Sequence, residues 1–152
     1  MVAQSELLIA TFEVGDGWFG LDTAFIQEVV MPGDITAIHH APPYVAGIRN
    51  LRGRIVTVID LGARLGLAQS ADSSEQRILV ADWKGEPIGL RVDRMQEMVL
   101  LDPAKLEPVG GDASGIPGEM IAGIFRNSDR IIVLLQAAAV LSPAEPEGAL
   151  VP

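Results

Sequence analysis

His39 and His40 are the only two histidines in the chain, and no cysteine accompanies them. Adjacent side chains on an extended backbone point to opposite faces, so this pair reads as loop and not as a metal site. A Ser–His–Asp set would have to take its base from the same two residues, and no spacing supports one. The 20 carboxylates are dispersed, with no pair placed for acid–base work. Gly15, Gly17 and Gly20 make a glycine-rich stretch, but it opens a strand and lacks a phosphate-binding lysine. No enzyme, cofactor or metal is therefore expected. What remains is recognition chemistry. Asn50-Leu51-Arg52-Gly53-Arg54 sets a planar, always-charged guanidinium beside the turn formers Asn and Gly.

The elements that hold this turn emerge when the sequence is slid against itself. FGLDTAFIQEVV at 19–30 aligns without gaps onto IGLRVDRMQEMV at 88–99. AGIRNLRGRIVTVIDLGARL at 46–65 aligns onto AGIFRNSDRIIVLLQAAAVL at 122–141, in the same order. The chain is two copies of one motif. Each copy predicts a hairpin (Leu7–Val14 with Trp18–Leu21; Arg77–Trp83 with Pro87–Val92) and a third strand (Ile26–Met31; Met95–Leu101). A second hairpin follows (Ile48–Leu51 with Arg54–Ile59; Ile124 with Arg130–Leu135), then a short helix at 61–67 or 136–141.

Five short strands per copy are too few for two independent domains at this size, but they suit two small barrels sharing an aliphatic core. The expectation is a single all-β domain over 1–152. It holds a first barrel repeat at 7–67, a second at 76–141 and a flexible tail at 142–152. Residues 69–75 read as a surface linker, and the loop at 110–118 accounts for the extra length of the second copy.

Composition narrows the partners. Hydrophobic residues make up 49% and aromatics 5%, so the core must be aliphatic. A net charge of −9 argues against nucleic acid, which needs a local basic excess. No Lys or Arg precedes Arg49, whereas Arg49, Arg52, Arg54 and Arg64 then follow closely. Met1–Ala10 lacks the basic start and apolar run of a secretory signal, and 131–141 is too short to span a bilayer. A cytoplasmic protein without membrane insertion is expected.

The segment 41–66, APPYVAGIRNLRGRIVTVIDLGARLG, resembles the central motif of CheW-like chemotaxis coupling proteins, above all in Asn50-Leu51-Arg52-Gly53 and Ile59-Asp60-Leu61. The resemblance extends to IGLRVDRMQEMV and covers roughly 7–141. It implies two packed five-stranded SH3-like barrels, and an adaptor linking chemoreceptor signalling tips to the regulatory domain of a histidine kinase. It further implies that other CheW-like domains are array partners. Kinase binding is assigned to Asn50, Leu51, Arg52, Gly53, Arg54 and Glu28. A receptor groove between the barrels is assigned to Ile26, Val45, Gly47, Val92, Met95 and Met98.

The duplication tests Arg52. The matching turn, Asn127-Ser128-Asp129, has neither Arg nor Gly, so the fold does not require the arginine. Glu28 is repeated as Glu97 and alternates with Ile26 and Val30, which reads as a solvent-facing strand position. It is also the expected ion-pair partner of Arg52. Departures from the family at Ala37, His39, His40, Thr57 and Gly62 flank the signature and bear on which pathway is served, chemotaxis or a pilus-motility or developmental pathway. A small-molecule-binding barrel is the alternative of another class. It would need convergent polar groups where the alternation places Leu, Ile and Val.

Overall fold

In the computed structural model, residues 5–68, 72–111 and 115–142 are described. The expected tail at 142–152 lies outside them except for Ser142, as do parts of the expected linker and of the 110–118 loop. Ten strands follow in chain order: β1 (Leu7–Val14), β2 (Gly17–Asp22), β3 (Ile26–Val30), β4 (Val45–Leu51), β5 (Arg54–Asp60), β6 (Arg77–Trp83), β7 (Glu86–Val92), β8 (Arg94–Leu101), β9 (Ile121–Asn127) and β10 (Arg130–Leu135). Helix α1 (Leu61–Arg64) follows β5, and α2 (Ala137–Leu141) follows β10.

The strands form two five-stranded sheets in the orders β8-β1-β2-β10-β9 and β3-β6-β7-β5-β4. Here the expected boundaries need correction. The barrels are not residues 7–67 and 76–141, because each combines the first hairpin of one repeat with the last three strands of the other. The reason lies after β2 and after β7. Only the turn Thr23–Phe25 separates β2 from β3, and only Asp93 separates β7 from β8. So short a connection does not return the chain to its own hairpin. β3 instead pairs antiparallel with β6, and β8 with β1. The parallel pairings of β2 with β10 and of β5 with β7 complete the exchange. Replacing each strand by its repeat mate turns one strand order into the other, so the exchange is pseudo-symmetric.

Burial follows this architecture. Ile9, Leu101, Phe125, Ile132 and Leu134 fill one barrel, and Leu51, Val56, Val58, Ile78 and Val80 fill the other. A third and larger cluster lies between them. Phe12, Phe19 and Leu21 from one sheet meet Leu79, Leu90 and Val92 from the other, and both helices plug the cluster with Leu61, Val140 and Leu141, joined by Leu65 just after α1. Burial of this shared aliphatic surface joins the halves into one unit. The shared core read from composition is therefore present, although the strands building it are exchanged.

Candidate functional site

The Asn50–Arg54 turn is a two-residue hairpin connection between β4 and β5. Its central residues, Arg52 and Gly53, have φ of +51° and +88°, the type I′ arrangement whose twist matches paired strands. Asn50 Oδ1 accepts a hydrogen bond from Gly53 N at 2.8 Å and holds the turn from within. Leu51 points the other way. It is 8% exposed and belongs to the barrel interior, which corrects its assignment to a kinase-contacting surface. Alternation along β4 dictates this, since Asn50 and Leu51 must face opposite sides.

Arg52 leaves the turn toward β3, where its Nη2 donates to Glu28 Oε2. The arginine side chain is 67% exposed and the glutamate 36%. Glu28 is thus half-buried, not simply solvent-facing. Its alternation with Ile26 is broken by a bulge, with Ile26 opposite Ala81 and Glu28 opposite Val80. Ile26 therefore faces the space between barrels, while Glu28 lies at the rim of a barrel mouth near Arg52. Arg54 is exposed on the same hairpin. Ile55 stands opposite Asn50 in the register and is 53% exposed, an exposed apolar residue of this face that the motif did not single out. Its mate Ile131 is 51% exposed, so the repeated Arg-Ile pair at 54–55 and 130–131 was the signal available in the sequence. On that second face Glu97 accepts from Asn127 Nδ2 at 3.2 Å, and Arg130 stacks 3.9 Å over Trp18.

The six groove residues separate. Val92 is fully buried in the central core, so it offers no groove surface. Gly47 is also buried. A Cβ there would lie 2.2 Å from the Thr36 carbonyl oxygen, with which Ile48 forms a bridge, so its glycine serves a close backbone approach. Ile26 and Met95, mates in the repeat, are half-buried against the central core, and Val45 is half-buried at the start of β4. A bulge in β8 sets Met95 opposite Phe12 and Met98 opposite Ala10, so two methionines three residues apart share one face. Met98 is 54% exposed there, and Leu100 continues the face at 63% opposite Leu8. At the start of β8, Arg94 pairs with Glu75 at 2.5 Å, and that hydrogen bond raises the guanidinium pKa further, so it stays charged.

His39 and His40 are exposed in the loop before β4, with ring centroids 6.4 Å apart. An open pocket of about 380 Å³ lies between the β1–β2 turn and Leu67, Ala68 and Ile116. Its lining offers one charged side chain, Asp16, which is not the converging polar set that a small-molecule site uses. Among the described residues no helix is long and apolar enough to cross a membrane.

The CheW-like domain model matches residues 9–145, nearly the whole chain. The chain belongs to the CheW-like family. Its similarity to a probable chemotaxis protein CheW of Rhizobium etli is 29% identity, covering 96% of this chain and 94% of the relative. The chemotaxis protein CheW of Thermotoga maritima is 28% identical over 91% and 90% of the two chains. Protein FrzA of Myxococcus xanthus is 25% identical over 93% and 89%. Among solved structures, the scaffolding protein TtCheW of Thermoanaerobacter tengcongensis matches with a TM-score of 0.80. It is 32% identical, with 86% of this chain and 84% of the other covered. The all-β architecture of two SH3-like barrels is therefore that of a CheW-like protein.

Proposed function

We propose that this CheW-like chain is a non-catalytic cytoplasmic adaptor coupling chemoreceptor signalling tips to the regulatory domain of a chemotaxis histidine kinase. The carrying observation is the Arg52–Glu28 pair. An arginine occupies a left-handed turn position that suits Asn or Gly, and its guanidinium is kept exposed and oriented by a carboxylate from another strand. Such a presented guanidinium, with Asn50, Gly53, Arg54 and Ile55 around it, is the kinase-facing surface. The half-buried Ile26, Val45 and Met95, together with exposed Met98, form the receptor-facing surface, and methionines adapt readily to a packed helix. The opposite barrel face around Ile131 and Arg130 takes a further CheW-like domain. Control arises from holding receptor and kinase in one geometry, without chemistry in the adaptor.

The match to FrzA favours a second reading, the same adaptor role in a pilus-motility or developmental receptor–kinase pathway. Reconstitution with purified kinase and receptor signalling fragments from each type of pathway tests both. Wild type is expected to bind one cognate kinase, and Arg52→Ala to keep its thermal midpoint while losing about tenfold in affinity, the loss of one oriented charge contact. Wild-type protein binding neither kinase nor receptor would end the adaptor reading.

A further inference from the structure

The near-symmetry of the repeats exposes one device that occurs on one side only. Arg64, at the end of α1, crosses from its own repeat to the other. Its Nη2 donates to the carbonyls of Ala139 and Ser142, each at 2.9 Å. These carbonyls lie at the C-terminal end of α2, where helical acceptors lack intrahelical donors. The guanidinium also stacks 4.5 Å over the ring of Tyr44, the residue leading into β4. The Tyr44 carbonyl accepts from Asp60 N at 2.8 Å, and the Asp60 carboxylate caps α1 through Ala63 N. The same carboxylate pairs with Arg91 of β7 at 3.1 Å.

The mate positions hold other residue types, Val140 for Arg64, Gln136 for Asp60 and Asp22 for Arg91, so the repeat cannot build the same set of contacts there. Arg64 Nε is buried without a hydrogen-bond partner. Burying an unmatched donor is unfavourable, so the guanidinium is held in place by its other contacts. The central core that α1 and α2 plug is apolar, mostly aliphatic with Phe12 and Phe19, and the hydrophobic effect that drives its burial is non-directional. The bonds from Arg64 to α2 are directional.

We infer that Arg64 is a positioning residue that fixes the orientation of one barrel against the other, and so the relative placement of the kinase-facing and receptor-facing surfaces. Its effect on signalling rests on the adaptor reading, whereas its effect on barrel orientation does not.

The native chain has no cysteine, so spin labels on Lys84→Cys and Asp129→Cys report one distance between hairpin turns of the two barrels. Wild type is expected to give a single narrow distribution, and Arg64→Ala one of about twice the width, as for domains freed to move on a shared interface. Arg64→Lys, which keeps the charge and a donor, should restore most of the narrowing. Arg64→Ala should also bind the kinase regulatory domain within about twofold of wild type, yet lose about tenfold in receptor-dependent kinase control. A folded Arg64→Ala with an unchanged distribution overturns the inference, as does a broad distribution in wild type. If Arg64→Ala does not fold, Arg64→Gln takes its place with the same two outcomes. Wild-type failure to bind either partner removes the adaptor reading alone, since the distance measurement still decides the role of Arg64.

Discussion

Arg52 and Glu28 meet across the mouth of one barrel, joining the β4–β5 turn to β3 while the arginine side chain remains 67% exposed. The pair contributes little stability in that setting, since exposed ion pairs contribute about 0–1 kcal/mol. The left-handed backbone at Arg52 opposes it, at about 1–2 kcal/mol for a residue with a Cβ. The arrangement is at best neutral for folding, which agrees with the recognition role proposed for it.

Replacing Arg52 with Asn should therefore separate folding from binding. Asn suits the first central position of a type I′ turn, so the unfolding free energy should hold or rise, by up to about 1 kcal/mol. Kinase affinity should fall about tenfold, and a Glu28–Arg52 double-mutant cycle should show coupling in binding. A parallel fall in stability and affinity would show that the residue serves the fold.

Much of this was legible in the sequence because repeats and alternation report local structure. The two copies, the hairpins and the shared aliphatic core all came from self-alignment and composition. The strand exchange did not, because it depends on how a three-residue turn after Asp22 directs the chain, and pairing between distant strands leaves no periodic trace. Bulges were equally silent. They moved Ile26 away from the face of Glu28 and brought Met98 onto that of Met95, and strict alternation cannot anticipate an extra residue. Val92 and Leu51 were misplaced because an apolar residue beside a motif looks the same whether it lines a groove or fills a core.

Gly47 offers a check on groove mutations. Its φ is +148°, and an added Cβ would come within 2.2 Å of a backbone oxygen. Gly47→Ala should lower stability by about 3 kcal/mol or prevent folding, measured by urea titration. Loss of receptor binding in that variant would then follow from misfolding. Full stability with selective loss of receptor binding would instead restore Gly47 to the docking surface.

Met98 gives the converse case. At 54% exposure it can become Glu with a stability change within about 0.5 kcal/mol. Binding of a receptor signalling fragment should weaken by at least about tenfold, because a carboxylate would be desolvated against an apolar helix face. Kinase affinity should not change, since Met98 and Arg52 lie on different sheets. Unchanged receptor binding would remove β8 from the receptor-facing surface.

Asp60 and Arg91 should behave unlike the exposed pair. Asp60 is fully buried, and the Arg91 side chain is 14% exposed. Removing one partner leaves the other charge in a medium that solvates it poorly, at about 3–5 kcal/mol for a buried pair. The two deletions should not be equal. Arg91 has some access to water and can relieve its charge after Asp60→Ala, although that variant also loses the α1 cap, about 1 kcal/mol. Asp60 has no such access, so Arg91→Met should be the more damaging substitution. The double variant should recover part of the loss, because an apolar pair of similar volume avoids desolvation altogether. Urea midpoints of the four proteins measure this, and losses below about 1 kcal/mol for both single variants would mean that water reaches the pair.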